Sequence, residues 1–128
     1  MNQLQNLITD CLIDTKHVET AAVITVKNAT QSAASHKFKL QEKQVQMLIN
    51  LFQHTTLIRE EGFGFLGKTY TCVRADGNSI YAKSGGHGLV LVKTGVYIIV
   101  ATYNDSMYPS VCVEAVEKLG EYLREKGK

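Results

Sequence analysis

Gly62, Gly64 and Gly67 stand in the spacing G-x-G-x-x-G, and Lys83 follows a strand-like run in Tyr81-Ala82-Lys83. Glycines so spaced can bring backbone N–H groups against a phosphate, and a downstream lysine can pair it, which is nucleotide chemistry. Two observations argue against it. A kinase needs a second lobe carrying H-R-D and D-F-G, and neither tripeptide follows Lys83 in this chain of 128 residues. A dinucleotide loop must open a helix, whereas Lys68 to Ala75 alternates like a strand. The three glycines are therefore expected to serve turns and strand ends. His87, inside Ser84-Gly85-Gly86-His87-Gly88, reads as a solvated hairpin residue and not as a phosphate ligand.

Other chemistry was sought in the same way. His17, His36, His54 and His87 are scattered, with no ligand-type neighbour at metal spacing. No G-x-S-x-G marks a nucleophile. The expectation is a non-enzyme with no metal and no cofactor. Cys11, Cys72 and Cys112 form no C-x-x-C pair and read as buried, reduced thiols of a cytoplasmic protein. The opening Met1 to Asp14 lacks the basic start and apolar run of a secretory signal. In a cytoplasmic chain the sequons Asn28-Ala29-Thr30 and Asn104-Asp105-Ser106 would go unused. A net charge of +2 is too mild to announce nucleic acid, though a local basic patch could still meet an anionic membrane. Aromatic and basic residues alternate in Lys68 to Arg74, and alternation would set Tyr70, Cys72 and Arg74 on one face. The RNA-binding pattern of stacked aromatics is missing there, so no nucleic-acid partner is expected.

The elements that must position any site follow from periodicity. Leu4, Leu7, Ile8, Cys11 and Leu12 mark one buried stripe of a first helix. Ala21 to Val26 reads as a strand, a polar turn follows, and Ser32 to Ser35 returns beside it. Val45, Leu48, Ile49 and Phe52 mark a second helix. Strands are expected at Gly62–Leu66 and Thr69–Ala75, then a tight turn at Asp76-Gly77-Asn78 into Ser79–Lys83. Leu89 to Tyr103 holds two apolar runs split by Lys93-Thr94-Gly95, a hairpin for the centre of the sheet and too interrupted to span a membrane.

A last helix starts near Pro109 and buries Cys112, Val116, Leu119 and Leu123. Glu114 stands four residues before Lys118, a favourable ion-pair spacing. Gly120 within this helix calls for a close backbone, with the first helix the natural neighbour. The fold class is thus α+β: one domain over residues 1–128, with a central antiparallel sheet and the terminal helices packed together on one face.

Gly67 to Lys83, Val90 to Gly95 and Met107 to Leu123 resemble the corresponding regions of profilins, the small cytoplasmic regulators of actin, and the resemblance runs through essentially the whole chain. Thr15 to Ile24, with Cys72 to Asp76, Ala101 to Tyr103 and Met107 to Ser110, looks most like the divergent testis-type profilins, the fourth vertebrate isoform. The resemblance implies a monomer with two protein-binding surfaces. One is an aromatic groove between the terminal helices for proline-rich peptides. Its tryptophan positions fall at Gln3 or Leu4 and at Ser32, a further aromatic falls near Leu7, and only Tyr122 remains. Proline-rich peptides are therefore not expected to bind.

The other surface takes monomeric actin. Thr71, Val73, Arg74 and Lys83 match contact positions, whereas Thr69, Tyr81, Met107, Tyr108, Glu114 and Lys118 depart from them. Glu114 and Lys118 reverse the usual signs, so actin contact is expected to be weak or absent. Acidic phospholipids (phosphoinositides, phosphatidic acid) are the third family ligand. Lys68, Arg74, Lys83, Lys118, Arg124, Lys126 and Lys128 could supply the cations they need.

Overall fold

In the computed structural model, which describes residues 3–128, the chain opens with helix α1 (Gln3–Leu7). It widens into a π-helical turn over Ile8–Leu12 and tightens into a 3-10 turn over Ile13–Thr15. Strands β1 (Thr20–Thr25) and β2 (Thr30–Ala34) follow, then helices α2 (Glu42–Leu51) and α3 (Thr55–Glu61). Next come β3 (Phe63–Phe65), β4 (Lys68–Ala75), β5 (Ser79–Ser84), β6 (His87–Lys93), β7 (Tyr97–Tyr103) and helix α4 (Pro109–Glu125). The seven strands form one antiparallel sheet in the order β2-β1-β7-β6-β5-β4-β3. The fold is α+β, and the apolar β6–β7 hairpin lies in the middle of the sheet as the unbroken burial of its runs requires.

Alternation along the strands makes two cores. On one face Ile8 and Leu12 of the first helical segment meet Cys112, Val116, Leu119 and Leu123 of α4 over Val23, Val90, Val92 and Ile99. On the other, Val45, Leu48 and Leu51 of α2 with Ile58 of α3 cover Ile24, Ile80, Leu91 and Val100. The terminal helices thus share one face. α1 is also tied sideways: the Gln5 side-chain amide donates to the Ala34 carbonyl (2.6 Å) and accepts from the Ala34 N–H (3.3 Å).

Four expectations are corrected. Cys11 is exposed, because the Ile13 N–H bonds back five residues to the Ile8 carbonyl. That wider turn keeps Ile8 and Leu12 inward and rotates Cys11 to the rim. α3 carries only one buried residue, Ile58, and was not expected from the periodicity. It is fixed by tertiary contacts, among them Arg59 Nη1 donating to the Ala75 carbonyl (2.5 Å).

Gly120 answers the sheet and not the first helix, since a Cβ there would lie 2.6 Å from Val92 Cγ1. Finally, the register of β4 against β5 slips between Cys72 and Arg74. This bulge sets Arg74 opposite Tyr81, on the α4 face, while Tyr70, Cys72 and Ala75 stay on the α2 face.

The glycine spacing dissolves into separate duties. Gly62 ends α3 at φ +70°, where a Cβ would lie 2.3 Å from the Tyr70 carbonyl oxygen. Gly67, at φ +79°, closes the β3–β4 turn behind Leu66. Neither opens a helix over a phosphate. Among the described residues no helix is long and apolar enough to cross a membrane, and no three His, Cys, Asp or Glu residues are grouped to hold a metal ion.

Candidate functional site: two surfaces beside the last helix

The sheet surface flanking α4 is assembled by β4, β5 and the loop before α4. Thr69, Thr71 and Val73 project outward on β4, and Val73 is 60% exposed. Val73 and Lys83 border an apolar hollow of about 210 Å³, walled by Tyr103, Pro109 and Val113. Arg74, brought there by the bulge, pairs with Asp76 at 3.0 Å and stands 5.5 Å over the Tyr81 ring. Its guanidinium is held above its ordinary pKa by the Asp76 hydrogen bond and charge. Asp76 is held below its ordinary value, mainly by the Asn78 and Ser79 backbone N–H groups and then by Arg74.

Glu117 is the hub sequence reasoning missed. It accepts from Tyr81 Oη, and Ser79 Oγ donates to the same oxygen at 2.8 Å. Its position four residues after Val113, toward the sheet, was the available signal. Glu114 and Lys118 pair with each other at 3.0 Å on the open side of α4. Tyr108 is 67% exposed, yet its ring stacks on His17 (centroids 5.0 Å apart) and its N–H donates to His17 Nδ1 (2.9 Å). Asn104 Oδ1 accepts from the Ser106 N–H and Oγ–H, and Asn104 Nδ2 donates to Glu19. The loop carrying Met107 and Tyr108 is therefore pinned. Nothing in the spacing of His17 announced this.

Two groups packed on this side of the sheet are pushed far above their ordinary values. Burial, then the Glu117 hydrogen bond and charge, push the Tyr81 phenol up to about 12. Burial alone pushes the Cys112 thiol up to about 12. Raised folded values mean stability that is complete below the unfolded values of 9.0 and 10.0 and is lost as pH climbs toward about 12. Melting temperature should fall steeply above about pH 9, and Tyr81→Phe should flatten the upper part of that fall. A melting temperature constant from about pH 8 to 11 would refute the assignment. At neutral pH the same variant should lose about 1–2 kcal/mol, because Glu117 keeps only its Ser79 partner.

The second surface is the seam between the first helical segment and α4. Leu4, Leu7 and Tyr122 come together there, joined by Tyr97, Lys126 and Lys128, around a cavity of about 510 Å³. Tyr97 was not foreseen. Ser32 lies on β2, hydrogen-bonded to Thr25 Oγ1, and Thr25 is the cross-strand neighbour of Tyr97. The Lys126 ammonium covers the Tyr122 ring at 5.5 Å. A second cavity of about 560 Å³ continues past Leu7 and Tyr122 to Cys11, Thr15, Val111 and Lys118.

The cations proposed for lipid headgroups are spread out. Lys83 is beside Pro109 at the start of α4, Arg74 is paired with Asp76 and Lys118 with Glu114, and Lys68 opens β4. Arg124, Lys126 and Lys128 gather at its far end, where Arg124 donates to the Lys93 carbonyl (2.8 Å).

This arrangement, an antiparallel sheet with both terminal helices on one face and two surfaces flanking the last helix, can be compared with known proteins. The sequence profile of the family described as Profilin matches residues 2–128. The chain belongs to the profilin family. Profilin-4 of Mus musculus is 52% identical over 128 residues and Profilin-4 of Bos taurus is 50% identical, each covering 99% of both chains. The structure of Acanthamoeba castellanii profilin IA superposes with a TM-score of 0.89 at 34% identity, covering 98% of this profilin and 100% of that chain. Profilins are non-enzymatic, actin-binding regulators of the cytoskeleton, so the glycine spacing of this profilin has no catalytic meaning.

Proposed function

We propose that this profilin is a cytoplasmic, cytoskeleton-associated regulator whose contact with monomeric actin is weakened or lost. Its groove for proline-rich peptides is degraded, and its remaining ligand is acidic phospholipid, either phosphoinositide or phosphatidic acid. One observation carries the reading: three polar side chains of the actin-facing side are tied to partners within the chain. Arg74 is held by Asp76, Lys118 by Glu114, and Tyr81 by Glu117. A protein partner must break or bypass those contacts, and the reversed signs at Glu114 and Lys118 oppose a surface complementary to the usual pattern.

A lipid surface asks less. Lys68, Lys83, Lys126 and Lys128 make no ion pair among the described residues, and each base near an anionic surface contributes about 1 kcal/mol. In cosedimentation at low salt this profilin should pellet with vesicles containing phosphatidic acid or phosphoinositide and stay in solution with neutral ones. The difference should shrink as salt screens the charges. Equal pelleting with both vesicle types would remove the lipid claim.

The rival reading is an ordinary profilin that binds actin monomers. The exposed Val73 beside the hollow near Lys83 and Pro109 favours it. Slowed spontaneous nucleation of pyrene-labelled actin at micromolar protein would decide for that rival.

A further inference from the structure

The two cavities along the helix seam share Leu7 and Tyr122, so they form one trench with an apolar floor. Between Val111 and Lys126 it follows α4 for about 22 Å at the usual helical rise. One acyl chain occupies about 15 Å, half of a bilayer's hydrocarbon thickness. The charges differ along its length. At the Val111 half Glu114 and Lys118 neutralise each other, whereas the Tyr122 half is bordered by Lys126 and Lys128, with no acidic side chain among its described lining residues. A proline-rich ridge needs open ring faces, and Lys126 lies over the Tyr122 ring. A flexible hydrocarbon chain needs no donor from the walls, only apolar area and an anionic end matched to the lysines.

We propose that this trench binds a single-chain anionic amphiphile, a free fatty acid, with its chain along Leu7, Ala115 and Leu119 and its carboxylate at Lys126 and Lys128. The site does not depend on the membrane reading: it takes a monomeric ligand from solution, and vesicle binding can fail while it stands.

Cys11 lines the trench and is exposed, which makes it a reporter. The full chain is alkylated with N-ethylmaleimide with and without laurate below its micellar concentration, and each cysteine is followed by mass spectrometry. Laurate should slow alkylation of Cys11 and leave the half-buried Cys72 unchanged. Dodecyltrimethylammonium, with the same chain and the opposite charge, should protect little. Lys126→Ala with Lys128→Ala, both exposed, should weaken laurate about tenfold. Ala115→Phe should abolish protection by filling the floor, and the lysine pair keeps the test valid if that variant does not fold. No protection by laurate, equal protection by the cationic surfactant, or protection by a proline decamer in its place would overturn the proposal.

Discussion

Replacing Gly88 with alanine is expected to destabilise this profilin by roughly 3 kcal/mol, some 10–15 °C in melting temperature. Gly88 and Tyr103 face each other across β6 and β7, and the Tyr103 ring lies directly on the glycine. A Cβ at Gly88 would sit 1.9 Å from Tyr103 Cζ and 2.1 Å from Cε2, far inside any tolerated contact. Tyr103 is buried among Val90, Ala101 and Cys112, so the ring cannot swing away without opening the core under the start of α4. Thermal or denaturant unfolding measures the loss. Shortening Tyr103 to leucine in the Gly88→Ala background should recover part of it, because the clash and not the strand position is at fault. A Gly88→Ala chain within about 0.5 kcal/mol of the parent would show that the ring has another place to go. Tyr103 also walls the hollow beside Val73 and Lys83, so this contact shapes the sheet side of α4 as well as the core.

The second large effect concerns actin. Exchanging the two signs on α4, Glu114→Lys together with Lys118→Glu, should strengthen binding to monomeric actin roughly 10- to 100-fold, with most of the gain in association rate at low salt. The two side chains are exposed and four residues apart, so their mutual ion pair survives the exchange in reversed order, at a cost of a few tenths of a kcal/mol. Stability should therefore stay nearly constant while affinity moves. Titration of labelled monomeric actin, with melting as control, separates the two. Unchanged affinity in the doubly exchanged chain would show that the internally tied Tyr81 and Arg74, and not the helix charges, set the limit.

Much of this was legible in the residues. The unbroken apolar runs of β6 and β7 told where the sheet has its middle, and Cys112, Val116, Leu119 and Leu123 told which side of α4 turns inward. What escaped reading depended on geometry that a period cannot encode. Arg74 changes face because one residue is inserted in the register, and Cys11 turns outward because one helical turn is a residue too wide. α3 exists because the sheet holds Ile58 and Arg59, and its own propensity over seven residues is weak. The site followed the same division. Leu4, Leu7 and Tyr122 were placed together by the helix seam, but Tyr97, Glu117 and His17 reach their partners from elements distant in the chain.

The Gln5 amide has a consequence beyond anchoring α1. By answering both polar groups of Ala34 on the outermost long strand, it imitates one link of a further ladder and blocks that border against a strand from another molecule. The opposite border is only the three residues of β3, too short a template for intermolecular zippering. Solubility is thereby coupled to the amino-terminal helix: whatever frays that helix also uncovers a sticky margin.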